Sequence, residues 1–187
     1  MFNVEWFDKV LIKKDGNCIF RAMSVFVNKD LTNCRRKNTG QACNNELNDK
    51  EDKLYKALRL IVVTYMDLHK NKFINALQFD DTIYDSIDKR IEGMANDGEF
   101  GGELELYIIS KIFKIQINVF VKTSNGFNLV SKIGKNSLNM CNLFYENLHY
   151  ELLVLKSDYL KDYKTNIKLW IKENPNVRFE EIVYSEH

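Results

Sequence analysis

Asp15-Gly16-Asn17-Cys18 places a cysteine where a turn gives way to the apolar run Ile19-Phe20-Arg21-Ala22-Met23. Asp, Gly and Asn favour turns, and Ile19, Phe20, Met23, Phe26 and Val27 recur at roughly helical spacing. A cysteine on a first helical turn faces unpaired backbone N–H groups and the positive end of the helix dipole. Both favour the thiolate, which is the reactive form. The backbone N–H groups of Asp15, Gly16, Asn17 and Cys18 could also hold an oxyanion. A free cysteine is more often buried and inert. A nucleophile therefore needs a base elsewhere, with a group to orient it.

The chain has three histidines. His187 is the last residue and is expected to fray. His69 ends a charged helical stretch and reads as a solvated residue near the helix dipole. His149 differs, because it opens the apolar stretch His149-Tyr150-Glu151-Leu152-Leu153-Val154-Leu155 directly after a turn. Strand period two puts His149 and Glu151 on one face. A carboxylate there could fix the imidazole tautomer and stabilise the imidazolium.

These residues must be carried by the elements around them. Residues 28–50 are polar and read as a surface loop joining two helices. Leu54, Leu58, Ile61, Val62 and Tyr65 predict a helix over 51–70. Ile83, Ile87 and Ile91 predict another around 81–95, with Asp80, Asp81 and Thr82 as capping groups. Asn96 to Gly102 is a Gly-rich turn before a periodic helix carrying Leu104, Tyr107, Ile108 and Ile112. Residues 115–121 alternate apolar and polar as a strand should. Ser124-Asn125-Gly126 signals a hairpin to residues 127–133, and a second hairpin joins 142–145 to 149–155. Beyond Lys156 the chain turns charged, with Trp170 as its large anchor. Helices early and strands late predict an α+β fold with helices packed on a mostly antiparallel sheet.

Composition sets the outer bounds. The 187 residues suit one domain, with 45% apolar and 28% charged residues. A net charge of +1 gives no strong pull toward nucleic acid or a membrane surface. Cys18, Cys34, Cys43 and Cys141 form no CxxC pair, which argues against a zinc ribbon. Cys34 and Cys43 could bridge locally, although a reduced, intracellular state is the default. The N-terminus carries acids and no long apolar core, so it is not a secretory signal. A cytoplasmic protein is expected, with signal-independent export into a host left open.

Asp15-Gly16-Asn17-Cys18-Ile19-Phe20-Arg21-Ala22 resembles the opening signature of the OTU (ovarian tumour) cysteine proteases, which are mostly deubiquitinases. Phe100-Gly101-Gly102-Glu103-Leu104-Glu105-Leu106, followed by residues 115–120, resembles their second block. Leu148-His149-Tyr150 resembles the third. The blocks stand in family order and cover about residues 10–155, leaving 156–187 as a C-terminal extension of one 1–187 catalytic domain.

The resemblance implies hydrolysis of isopeptide bonds at the C-terminus of ubiquitin, with no metal or cofactor. It assigns Cys18 as nucleophile, His149 as general base and Asp15 as support for the oxyanion loop. Glu151 stands where the family usually has Asp or Asn, and Phe100 where many relatives have Trp. The Gly101-Gly102 turn could line a narrow channel for the two glycines that end ubiquitin. Ubiquitin or polyubiquitin chains are the expected partners, other ubiquitin-like modifiers stay open, and the chain is expected to act as a monomer. A different cysteine hydrolase or acyltransferase, and a non-catalytic ubiquitin-binding module, are the competing readings.

Overall fold

A computed structural model describes residues 2–37, 43–74, 84–135 and 139–173. Its centre is a five-stranded sheet built from β1 (Phe7–Val10), β2 (Gln116–Thr123), β3 (Gly126–Ile133), β4 (Met140–Glu146) and β5 (His149–Leu155). The spatial order is β1-β5-β4-β2-β3. All neighbours are antiparallel except β2 and β4, which run parallel. The α+β expectation holds, and both predicted hairpins form. Asn147 and Leu148, both at positive φ, make the tight turn that brings His149 opposite Glu146. The short edge strand β1 has no strong sequence signal. It forms because Lys9 and Val10 find partners in Leu153 and Leu152 of β5.

Strand alternation splits the core in two. Val10, Ile117, Val119, Leu143 and Leu152 face a layer formed by α1 (Cys18–Val27), α3 (Asn45–Leu68) and α6 (Glu103–Phe113). Phe7, Phe120, Phe127, Phe144 and Leu153 face the other way, against Phe2 and α7 (Leu160–Glu173). The C-terminal extension is anchored by buried Tyr163 and Ile167, with Trp170 only partly buried.

Residues 28–50 are not simply a loop. They contain α2 (Lys29–Lys37), and α3 already begins at Asn45. Neither start carries an apolar stripe. The Asn28 side chain accepts from the backbone N–H of Asp30 (3.1 Å) and Leu31 (3.2 Å). Asn44 caps α3 through Leu47 N–H (2.9 Å). Cys34 and Cys43 form a disulfide, in place of the reduced default. A short α4 (Lys70–Phe73) follows α3, and α5 (Ile87–Met94) is capped by Ser86. Residues 80–82, expected to cap it, lie outside the described residues.

The alternation in β2 has an unexpected reason. Gln116 and Asn118 are buried, not solvated. Gln116 donates to Asn118 (2.7 Å), which donates to Asn142 (2.9 Å) and Tyr163 Oη (2.8 Å). The polar face of β2 is thus satisfied beneath α7.

A buried ion pair holds the start of α6. Arg90 of α5 donates to both Glu105 oxygens (3.2 and 2.8 Å), and Glu105 accepts the N–H of the N-cap Gly102 (2.6 Å). Glu105→Ala removes a carboxylate that both the Arg90 fork and the Gly102 N–H use, and should cost about 3 kcal/mol or more in urea denaturation. A loss below about 1 kcal/mol would put the pair on a par with a surface ion pair.

Candidate active site

Helix α1 packs against β5, which places Cys18 of its first turn next to the strand that opens at His149. Cys18 is 3% exposed and His149 7%. The backbone N–H groups of Tyr150, Ile19 and Cys18 itself point at the Cys18 sulfur. Tyr150 directly follows His149, so this contact ties the sulfur to the histidine's own strand. Gly101 lies beside the same turn, where an added Cβ would come within 3.2 Å of Ile19 Cδ1. Gly102 serves as the N-cap of α6.

The helix-start argument predicts a lowered thiol pKa, but the structure reverses the sign. Burial pushes the Cys18 thiol above its ordinary value and outweighs the three N–H groups. Burial likewise pushes His149 below its ordinary value. The Glu151 charge and the Ile12 backbone oppose that shift, while Lys14 and Lys9 add to it. Both shifts favour a neutral thiol beside a neutral imidazole.

Glu151 lies on the expected face, yet it does not bond the imidazole. Its Oε1 is 4.0 Å from His149 Nε2, while its Oε2 is ion-paired with Lys9 of β1. Among the described residues, the buried Nε2 has no hydrogen-bond partner. Lys9 also lies over the Phe144 ring, 4.6 Å from its centroid.

Asp15 does brace the loop before Cys18. Its Oδ1 accepts the Asn17 N–H (3.1 Å), and its Oδ2 accepts from Arg21 Nε (2.9 Å). Partial burial disfavours its charge, but Arg21 and the Asn17 N–H prevail and hold the carboxyl below the usual range. Because the Asn17 N–H is spent on Asp15, it drops out of the expected set of oxyanion donors. That leaves the N–H groups of Asp15, Gly16 and Cys18 from the expected set. Gly16 has φ +77, and a Cβ there would sit 1.7 Å from the Gly98 carbonyl oxygen. Only glycine fits that close approach.

Sequence reasoning passes over three supports. Arg21 lies in the motif, and its guanidinium joins Asp15 to Glu51 (3.2 Å) and Asp52 (2.7 Å) over the Tyr55 ring. Lys9 sits on a strand without a signal. Arg59 stands between the core residues Leu58 and Val62, and a charged residue on an apolar stripe was its visible mark. Phe100 is 57% exposed, so it does not pack as a core aromatic would. His69 is half-buried with its ring 4.4 Å from that of Tyr65. His187 and Ile83 lie outside the described residues. Among the described residues, no cluster of His, Cys, Asp and Glu could hold a metal, and no helix is long and apolar enough to cross a membrane.

A cysteine at a helix start, bonded to a strand that carries a histidine, is the arrangement a thiol hydrolase needs. Residues 13–152 match the family model described as OTU-like cysteine protease, and the chain belongs to that family. Protein L96 of Tipula iridescent virus, whose name is that of a ubiquitin thioesterase, is 27% identical over 128 residues. That alignment covers 64% of this chain and 13% of L96, so the chain spans a small part of that relative. The viral OTU domain protease of Dera Ghazi Khan virus has a similar fold, with TM-score 0.60 and 18% identity over 83% of this chain and 86% of that one. The OTUD1 OTU domain aligns with TM-score 0.56 and 21% identity, covering 78% and 84%. The Hazara virus OTU bound to ubiquitin aligns with TM-score 0.58 and 18% identity, covering 83% and 86%.

The neutral-pair electrostatics have a direct test. Iodoacetamide labelling of Cys18, followed by peptide mapping, should still accelerate as pH rises through about 9, because only the thiolate reacts. A rate already level near neutral pH would show a standing thiolate and contradict the account. Cys141 is a built-in control, since complete burial pushes its thiol far above the ordinary range.

Proposed function

We propose that this chain is the catalytic domain of a deubiquitinase that hydrolyses the bond after the C-terminal glycine of ubiquitin. Cys18 is the nucleophile and His149 its base. The observation that carries this reading is the Cys18 sulfur at the start of α1, bonded to the N–H of the residue after His149, within an OTU family match. The name of L96 and the ubiquitin bound to the Hazara virus OTU support the choice of substrate.

The reaction follows from the charges. The resting thiol is neutral, so His149 takes its proton as the sulfur attacks the glycyl carbonyl. The C–S bond forms while the carbonyl π electrons move to oxygen. Backbone N–H groups of Asp15, Gly16 and Cys18 stabilise that oxyanion, and one such donor is worth about a hundredfold or more in rate. The intermediate then collapses, the C–N bond breaks, and His149 protonates the departing lysine amine. A thioester remains. His149 next deprotonates a water, which attacks the same carbonyl, and the sulfur leaves as the thiol with the proton returned. Glu151 stabilises the imidazolium that exists only between these proton transfers. A short closure from 4.0 Å would bring it into contact.

Burial of Cys18 restricts what can reach it. A tail ending in two glycines is slim enough to pass beside Gly101.

Ubiquitin carrying a fluorogenic C-terminal amide, together with a panel of diubiquitin linkages, tests the proposal. Wild-type protein should turn both over, and Cys18→Ala should be inactive. His149→Ala should lose about 10²- to 10⁴-fold in kcat, and Glu151→Gln should fall by a smaller factor. Cleavage of short unrelated peptides with no action on ubiquitin would move the protein to another cysteine hydrolase class. Ubiquitin binding without turnover would make it a binding module.

A further inference from the structure

Arg59 is 4% exposed, as deeply buried as Arg21 and close to Arg90 at 2%. Arg21 and Arg90 rest on carboxylates. Arg59 instead spends its hydrogen bonds on uncharged acceptors. Its Nη2 donates to Asn17 Oδ1 (2.5 Å) and to the Glu99 carbonyl (2.8 Å). Its Nη1 donates to the Met94 carbonyl (3.0 Å), with Met94 Sδ at 3.1 Å. The guanidinium lies 4.4 Å from the centroid of the Phe20 ring. Holding a charge this far from water is costly. An apolar side chain would fill the space without that cost.

The acceptors show what the arginine holds together. Asn17 immediately precedes Cys18. Its Oδ1 also accepts the Gly98 N–H (3.1 Å), and its Nδ2 donates to the Asp15 carbonyl (3.4 Å). Met94 ends α5, and Glu99 lies just before Phe100-Gly101-Gly102. One planar fork therefore fixes the loop before the candidate nucleophile against the turn that leads to α6. Gly16 and Gly98 touch along the same seam.

We propose that Arg59 is the positioning residue for the oxyanion loop. It sets the orientation of the Asn17–Cys18 peptide through the Asn17 side chain. The inference rests on the thiol-hydrolase reading of Cys18. A lysine cannot replace Arg59, because an ammonium is a point donor and cannot span three acceptors with two fixed nitrogens.

The test is steady-state hydrolysis of the fluorogenic ubiquitin amide by wild type, Arg59→Lys, Asn17→Ala and the double variant. Folding is checked by thermal denaturation. Each folded single variant should lose about 10- to 100-fold in kcat, as expected for loss of loop alignment, with KM within about twofold of wild type. The double variant should be no worse than the poorer single one, since both break the same link. Wild-type kcat in folded Arg59→Lys, a rise in KM alone, or losses that multiply would each overturn the proposal. If Arg59→Lys does not fold, Asn17→Ala decides alone: a kcat loss supports the clamp and wild-type kcat overturns it. A wild-type protein without ubiquitin turnover would remove the enzyme reading and the clamp together, whereas active wild type with unaffected variants would remove only the clamp.

Discussion

The site depends on one crossing, in which the first turn of α1 meets the first residues of β5. The Tyr150 N–H reaches the Cys18 sulfur only if both elements keep their register. A helix rotates about 100° and rises 1.5 Å per residue, so a slip of one residue would carry Cys18 away from His149. The register is held by an unusually apolar helix. Ile19, Phe20, Ala22, Met23 and Val25 are all essentially inaccessible to water, and Met23 lies against Cys141 of β4. On the strand side, Leu152 and Leu153 lock β5 into the two opposite cores.

Buried charges refine what the apolar core leaves loose. Arg21, Glu51, Arg59, Arg90 and Glu105 are each no more than 4% exposed, and each is hydrogen-bonded. Such groups are a poor source of net stability, because desolvation offsets their attraction. Their geometry has another use. Arg21 holds the Asp15–Cys18 turn at Asp15 and Arg59 holds it at Asn17, while Arg90 and Glu105 set the start of α6. The turn that the proposed mechanism uses as its oxyanion hole is therefore held by fixed partners. Preorganised dipoles of this kind lower a barrier without reorganising during the reaction.

The candidate site was easier to pick out in the sequence than some of its scaffold. Cys18, Asp15 and His149 stand out because turn residues, a helix start and a strand start each have compact local signals. The hairpins and the periodic helices followed from apolar spacing. The failures share a cause. The burial of Glu51 on α3, the polar face of β2 and the role of Arg59 all involve polar side chains that are buried and paired at long range. A polar residue reads as solvated unless its partner is known. Glu51 finds Arg21 and Arg35, Asn118 finds Asn142 and Tyr163, and Arg59 finds Asn17, across gaps that periodicity does not register. The helix-start argument for Cys18 named a contribution that is present, the backbone N–H groups at the sulfur, but gave the wrong sign for the net shift. It could not weigh the burial that raises the same pKa.

The central claim is that Cys18 attacks the C-terminal carbonyl of ubiquitin. A ubiquitin probe bearing an electrophile at its C-terminus tests it most directly, read by intact mass and peptide mapping. The account predicts a single covalent adduct, on Cys18, that disappears in Cys18→Ala. No adduct on the wild-type protein, or one that maps to Cys141 or survives in Cys18→Ala, would contradict it.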